Sequence, residues 1–129
     1  MNDIQLITNN AINWIDTLLS TEEKQGQRVL GNSQVGFCCL GLGCHTLKLL
    51  YNSSDTGSDD FANSVGLHNT FGQPISYATG LNSLVELNDI LRVSFKEIGK
   101  VLIQHPDYYF DENVAEGIQK HYKTLNTNF

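Results

Sequence analysis

Gly36-Phe37-Cys38-Cys39-Leu40-Gly41-Leu42-Gly43-Cys44 is the stretch from which the fold of this chain can be read. Just before it, Val29-Leu30 and Val35 flank Gly31-Asn32-Ser33. Gly-Asn is a turn signal, so a hairpin with short strands turning at Gly31-Asn32-Ser33 is predicted. From Cys38 onward the period changes. Leu40, Cys44, Leu47 and Tyr51 recur at i, i+4, i+7 and i+11, the spacing of a buried helical stripe. A helix beginning within the cysteine motif and ending before Asn52 follows. Glycine inside a helix costs about 1 kcal/mol relative to alanine. Gly41 and Gly43 therefore require a reason, either another element packed against the backbone or a ligand.

Working outward from this junction, Ile7, Ala11, Trp14, Ile15 and Leu18 mark a first helix from Asp3 or Thr8 to Ser20, with Trp14 as its core anchor. Asn52 to Ser58 reads as a polar loop and as the segment expected to be mobile or inserted. Asp59 or Asp60 can cap a short helix through Val65, with Gly66 just past its end. Phe71 to Gly80 alternates well enough for one edge strand, since Pro74 excludes a central one. Ser83-Leu84-Val85-Glu86 is a capping-box pattern opening a short helix through Asp89. Ser94-Phe95-Lys96-Glu97 repeats it, with Val93 and Ile98 spaced as a hydrophobic staple and Pro106 ending the helix. Asp111 can cap a last helix carrying Val114, Ile118, Tyr122 and Leu125. The expected architecture is a single α+β domain over residues 1–129, mainly helical with a small antiparallel hairpin.

Composition bounds the function. A chain of 129 residues supports one core. Its 14 acidic and 8 basic residues give a net charge of −6, with the cations scattered. A nucleic-acid polymer would meet repulsion where it needs a basic patch. A small anion needs only one or two cations and is not excluded. No apolar run spans a bilayer and no leader pattern opens the chain, so a cytoplasmic protein with no membrane partner is expected. Three cysteines, two of them adjacent, do not make a disulfide framework.

The cysteines also make a poor metal site. At about 100° per residue on a helix, Cys38, Cys39 and Cys44 point in three diverging directions. Cysteine catalysis would require His45, His68, His105 or His121 to reach a thiol through the fold, and no serine-nucleophile elbow or zinc-protease motif is present. Gly41-Leu42-Gly43 lacks the rest of a dinucleotide or phosphate-loop signature. Neither a metal nor a cofactor is expected. The residues suited to a small ligand are Lys24 and Arg28 for phosphate, Phe37 or Tyr77 for stacking a base, and Gln25, Asn88 and Asp89 for ribose or base edges. Five of them have a plainer reading: a solvated hairpin edge for Lys24, Gln25 and Arg28, and capping or turn bonds for Asn88 and Asp89.

Gln25-Gly26 with Val29-Leu30, then Gly36-Phe37-Cys38-Cys39-Leu40-Gly41 with Cys44, and later Leu87-Asn88-Asp89 with Ser94-Phe95-Lys96-Glu97-Ile98, resemble a group of small phage and prophage proteins. That group has a Tyr/Phe-Cys-Cys-Leu-Gly-x-x-Cys core and a later Leu-Asn-Asp, and the resemblance covers about Trp14 to Ile103. This chain departs from the pattern at Gly43, where a bulkier apolar residue is usual, and at Ile90-Leu91-Arg92, where a glycine turn usually follows Leu-Asn-Asp. The resemblance implies phage origin. Several unrelated small phage proteins sequester nucleotide-derived immune signals, so the function expected by that context is binding of a cyclic nucleotide or ADP-ribose derivative without consuming it, in an infected or lysogenic bacterium. A homo-oligomer would help so small a chain to enclose a pocket. Two alternatives stand beside it: a protein-interaction module acting on a host protein through an acidic face, and a small nucleotide-cleaving or thiol-dependent enzyme.

Overall fold

The computed structural model describes residues 3–67 and 83–125. Helix α1 (Asp3–Ser20) leads into a two-stranded antiparallel hairpin, β1 (Gly31–Asn32) and β2 (Gly36–Phe37). Helices α2 (Cys39–Thr46) and α3 (Asp59–Val65) follow, then a π-helical turn (Glu86–Ile90), α4 (Phe95–Gln104), the single turn α5 (Pro106–Tyr109) and α6 (Glu112–Leu125). The fold is α+β and mainly helical. No helix among the described residues is long and apolar enough to cross a membrane. The edge strand expected over Phe71–Gly80 lies outside the described residues.

Helix α1 is the central pillar, in contact with α2, α3, α4 and α6. Its buried residues Ala11, Trp14, Ile15 and Leu18 follow the i, i+3, i+4, i+7 rule of an amphipathic helix. The Trp14 ring meets Phe61 edge-on at 4.9 Å between centroids and Phe110 at 6.2 Å. Its indole N–H donates to the Cys39 carbonyl at 3.0 Å, so the bulkiest core residue carries no unmet polar group. Phe95, Ile98, Gly99 and Leu102 of α4 are buried in the same way, as are Val114, Ala115, Ile118 and Tyr122 of α6. The Tyr122 hydroxyl donates to Asp16 Oδ1 at 2.6 Å, tying α6 back to α1.

Local signals placed most helix starts. Ser83 and Glu86 form the reciprocal capping box, with Ser83 N–H to Glu86 Oε1 at 3.0 Å and Glu86 N–H to Ser83 Oγ at 3.2 Å. Ser94 Oγ accepts from Glu97 N–H at 3.2 Å. For α3 the cap is Ser58, whose hydroxyl accepts from Phe61 N–H at 3.1 Å. Asp59 and Asp60 instead occupy the first turn, where their charge opposes the helix dipole. Gly66 ends α3 in the left-handed conformation, φ 73°.

Besides the α3 cap, three further details differ from the sequence reading. The hairpin exists, but it turns at Ser33 to Val35, with Gly31 paired to Phe37 and Asn32 to Gly36. Asn32 Oδ1 closes that turn by accepting from the N–H groups of Gln34 and Val35 at 2.9 and 3.1 Å. Helix α2 stops at Thr46, and Lys48 at φ 59° reverses the chain, so Tyr51 reaches the core from a loop and donates to the Gly31 carbonyl at 3.0 Å. The loop expected to be mobile is docked. Asp55 O and Ser53 O accept from the N–H groups of Leu30 and Gly31 at 2.7 and 2.8 Å.

Gly41 and Gly43 have steric reasons. A Cβ on Gly41 would overlap the backbone carbonyl of Leu30, and one on Gly43 would overlap the Phe61 ring. Residues Cys39 to Cys44 are all buried, so α2 is enclosed on every side up to its last turn, where His45 is exposed. Gly41→Ala is expected to cost about 2 to 3 kcal/mol by overpacking against backbone that cannot rotate away. Urea unfolding followed by circular dichroism measures it, and a cost below about 0.5 kcal/mol would contradict this packing.

Candidate functional site

The polar residues singled out in the sequence converge on the junction between β2, the start of α2 and the π-helical turn. Asn88 is 1% exposed and makes all four hydrogen bonds available to a carboxamide. Its Nδ2 donates to Gly26 O at 2.9 Å and to Asp89 Oδ1 at 2.8 Å. Its Oδ1 accepts from Gln25 Nε2 at 2.9 Å and from Cys39 N–H at 3.2 Å. Gln25 Nε2 also donates to Val93 O at 2.8 Å, while its Oε1 accepts from Phe95 N–H at 3.1 Å. Asp89 Oδ1 takes a further bond from Arg28 N–H at 2.9 Å. Three of the seven candidates therefore bind segments of the chain to one another.

The π-helical turn makes this geometry. One extra residue in the turn from Glu86 to Ile90 places Asn88 inward and Asp89 toward Arg28. The turn closes with Leu91 N–H bonded to Glu86 O at 2.9 Å and Val93 N–H to Leu87 O at 2.8 Å. Arg92 then adopts φ 52°, a left-handed conformation that glycine takes more readily.

Phe37 is 1% exposed and its ring lies 4.9 Å from that of His45 at 34°, so its aromatic face is committed to the fold. Lys24 is exposed, and its carbonyl accepts from Phe37 N–H at 2.9 Å. Tyr77 lies outside the described residues. Arg28 is exposed and held at φ 76° by the bond from its N–H to Asp89. With Thr56, Val85 and Asp89 it lines a depression of about 290 Å³. Thr56 went unnoticed in the sequence because only the docking of its loop on β1 brings it beside Arg28.

The three thiols are buried and free. Cys38 caps α2, its sulfur accepting from Gly41 N–H at 3.3 Å. Cys39 Sγ donates to Leu84 O at 3.9 Å. Burial pushes the Cys38 thiol up to about 11 and raises Cys39 and Cys44 as well. Among the described residues no group of three or more His, Cys, Asp or Glu is placed to hold a metal ion. Comparison with protein-family models, curated proteins and solved structures finds no match.

Two outcomes follow. Asn88→Ala strands the buried Cys39 N–H and the part-buried Gly26 O, and is expected to cost about 3 kcal/mol in urea unfolding, since each buried unmet group costs about 1 to 3 kcal/mol. A value below about 1 kcal/mol would mean the network is dispensable. The thiols are acids whose folded values lie above the ordinary 9.0, so their contribution to stability is complete below pH 9 and is lost at higher pH, for Cys38 as pH rises from about 9 toward 11. Native protein should react slowly with iodoacetamide at pH 8 and label at all three cysteines only after denaturation.

Proposed function

We propose that this chain binds a small nucleotide-derived molecule without consuming it, and that the phosphate-bearing end of the ligand is held at the Arg28, Thr56 and Asp89 depression. The observation that carries this reading is the backbone of Arg28. An arginine held at φ 76° has an αL cost of about 1 to 2 kcal/mol that glycine would avoid. Such strain persists where the surrounding structure enforces it, and it is frequent at ligand sites. Here Asp89 enforces it, and the result is an exposed guanidinium beside a hydroxyl and a carboxylate.

The chemistry of that trio suits a phosphorylated ribose. A guanidinium makes paired bonds to phosphate oxygens, and Thr56 can donate another. The carboxylate of Asp89 accepts from ribose hydroxyls. A depression of about 290 Å³ is at the small end of ligand pockets, enough for one phosphate and its sugar rather than a whole dinucleotide. Lys24 adds a second exposed cation on the same loop. Binding without conversion is supported by thiols that burial keeps protonated. Together with the resemblance to small phage proteins, this makes a signal-sequestering role in the cytoplasm of an infected or lysogenic bacterium the reading of choice.

Titration calorimetry with ADP-ribose and with a cyclic dinucleotide is the direct test. One of them should bind and be released on heating with unchanged mass. An altered mass would make the protein an enzyme, and no heat with either would sink the proposal. Arg28→Gly removes the guanidinium while easing the backbone, so it should weaken binding at least tenfold with stability unchanged or increased. Full binding by this variant would remove Arg28 from the site.

A further inference from the structure

The exposed large apolar side chains of the described surface include Ile4, Leu6 and Leu50, which are 44%, 51% and 96% exposed. They border two adjoining depressions formed by α1, α3, the start of α6 and the segment after α2. Ile4 and Leu6 stand off the buried stripe of α1, and Leu50 follows the reversal at Lys48. The two depressions share Ile7 and Asn63, and the second shares Asp111 and Glu112 with a third on α5 and α6. Scattered single apolar residues need no cause, but a connected groove edged by such residues is a surface that costs free energy to leave wet.

The charge along this groove is one-sided. Asp3, Asp60, Asp107, Asp111, Glu112 and Glu116 line it, all exposed, and Lys48 is the one Lys or Arg in its lining among the described residues. Part of this has a local reason, since Asp3, Asp60 and Glu112 sit in the first turns of α1, α3 and α6. Each helix N-terminus supplies only about half a positive charge. Three such termini and Lys48 do not offset six carboxylates, so the groove stays anionic.

That charge selects the occupant. A second copy paired across a two-fold axis would set carboxylates against carboxylates, and a chain of net charge −6 is repelled by its own kind. A cationic amphipathic helix meets both needs. Its apolar face covers Leu6 and Leu50, and its Lys or Arg residues face the carboxylates. We infer that the α1, α3 and α6 groove docks a basic amphipathic helix of another protein. This surface does not include Arg28, and its occupancy does not require a ligand there.

The test uses the full chain in titration calorimetry with an 18-residue Leu/Lys amphipathic peptide, and with Leu/Glu and Ser/Lys peptides of the same pattern. The Leu/Lys peptide should bind one to one, at least tenfold tighter than either control, and more weakly as salt is raised. Leu6→Ser with Leu50→Ser should weaken it at least tenfold, while Arg28→Gly leaves it unchanged. Both leucines are exposed, and an unchanged circular dichroism melt verifies the fold. Equal binding of the Ser/Lys peptide, full binding by the double serine variant, or no binding of Leu/Lys would each overturn the inference. A dimer of the protein alone in sedimentation velocity, abolished by the two serine substitutions, would overturn it in favour of a second copy.

Discussion

The Asn88 carboxamide holds together parts of the chain that lie far apart in sequence. It is buried, and its four hydrogen bonds reach Gly26, Gln25, Cys39 and Asp89. Burying an amide without partners costs several kcal/mol on hydrocarbon scales, so the network holds only because it is complete. Among the described residues no buried side-chain nitrogen or oxygen lacks a partner. Through Gln25 the same network reaches Val93 O and Phe95 N–H at the start of α4. The loop after α1, the start of α2, the π-helical turn and α4 are thereby set in one geometry.

The cysteine motif belongs to that junction. Cys38 caps α2 with its sulfur, Cys39 offers its N–H to Asn88 and its carbonyl to Trp14, and Cys44 lies in the core. Small side chains are needed because the helix approaches the Leu30 backbone at Gly41 and the Phe61 ring at Gly43. Phe61, edge-on to Trp14, fills the space beside Gly43. Desolvation therefore keeps the thiols of this segment protonated, which lowers their reactivity.

These commitments separate the side chains spent on folding from those left exposed. Gln25, Asn88 and Phe37 are spent on the fold, and Asp89 divides its carboxylate between Asn88 and the Arg28 backbone. What remains outward-facing beside them is the Arg28 side chain, held by a strained backbone, with Thr56 delivered by a docked loop. Elsewhere, three helix N-termini bring carboxylates to one apolar groove.

Sequence alone determined what depends on near neighbours. Apolar spacing marked α1, α4 and α6, and the Ser83 and Ser94 capping patterns marked helix starts, because each rests on contacts three or four residues apart. It also marked Gly41 and Gly43 as positions needing a close neighbour or ligand, since their helix cost is local. Which neighbour stood there was decided by tertiary structure. Leu30 and Phe61 arrive from other segments, just as Asn88 meets Gln25 across 63 residues. The π-helical turn was invisible for the same reason. Its extra residue is favoured by bonds that Asn88 and Asp89 make to distant backbone, and no pattern within Glu86 to Ile90 encodes those partners. Local chemistry chose the elements, and long-range satisfaction of buried polar groups chose how they meet.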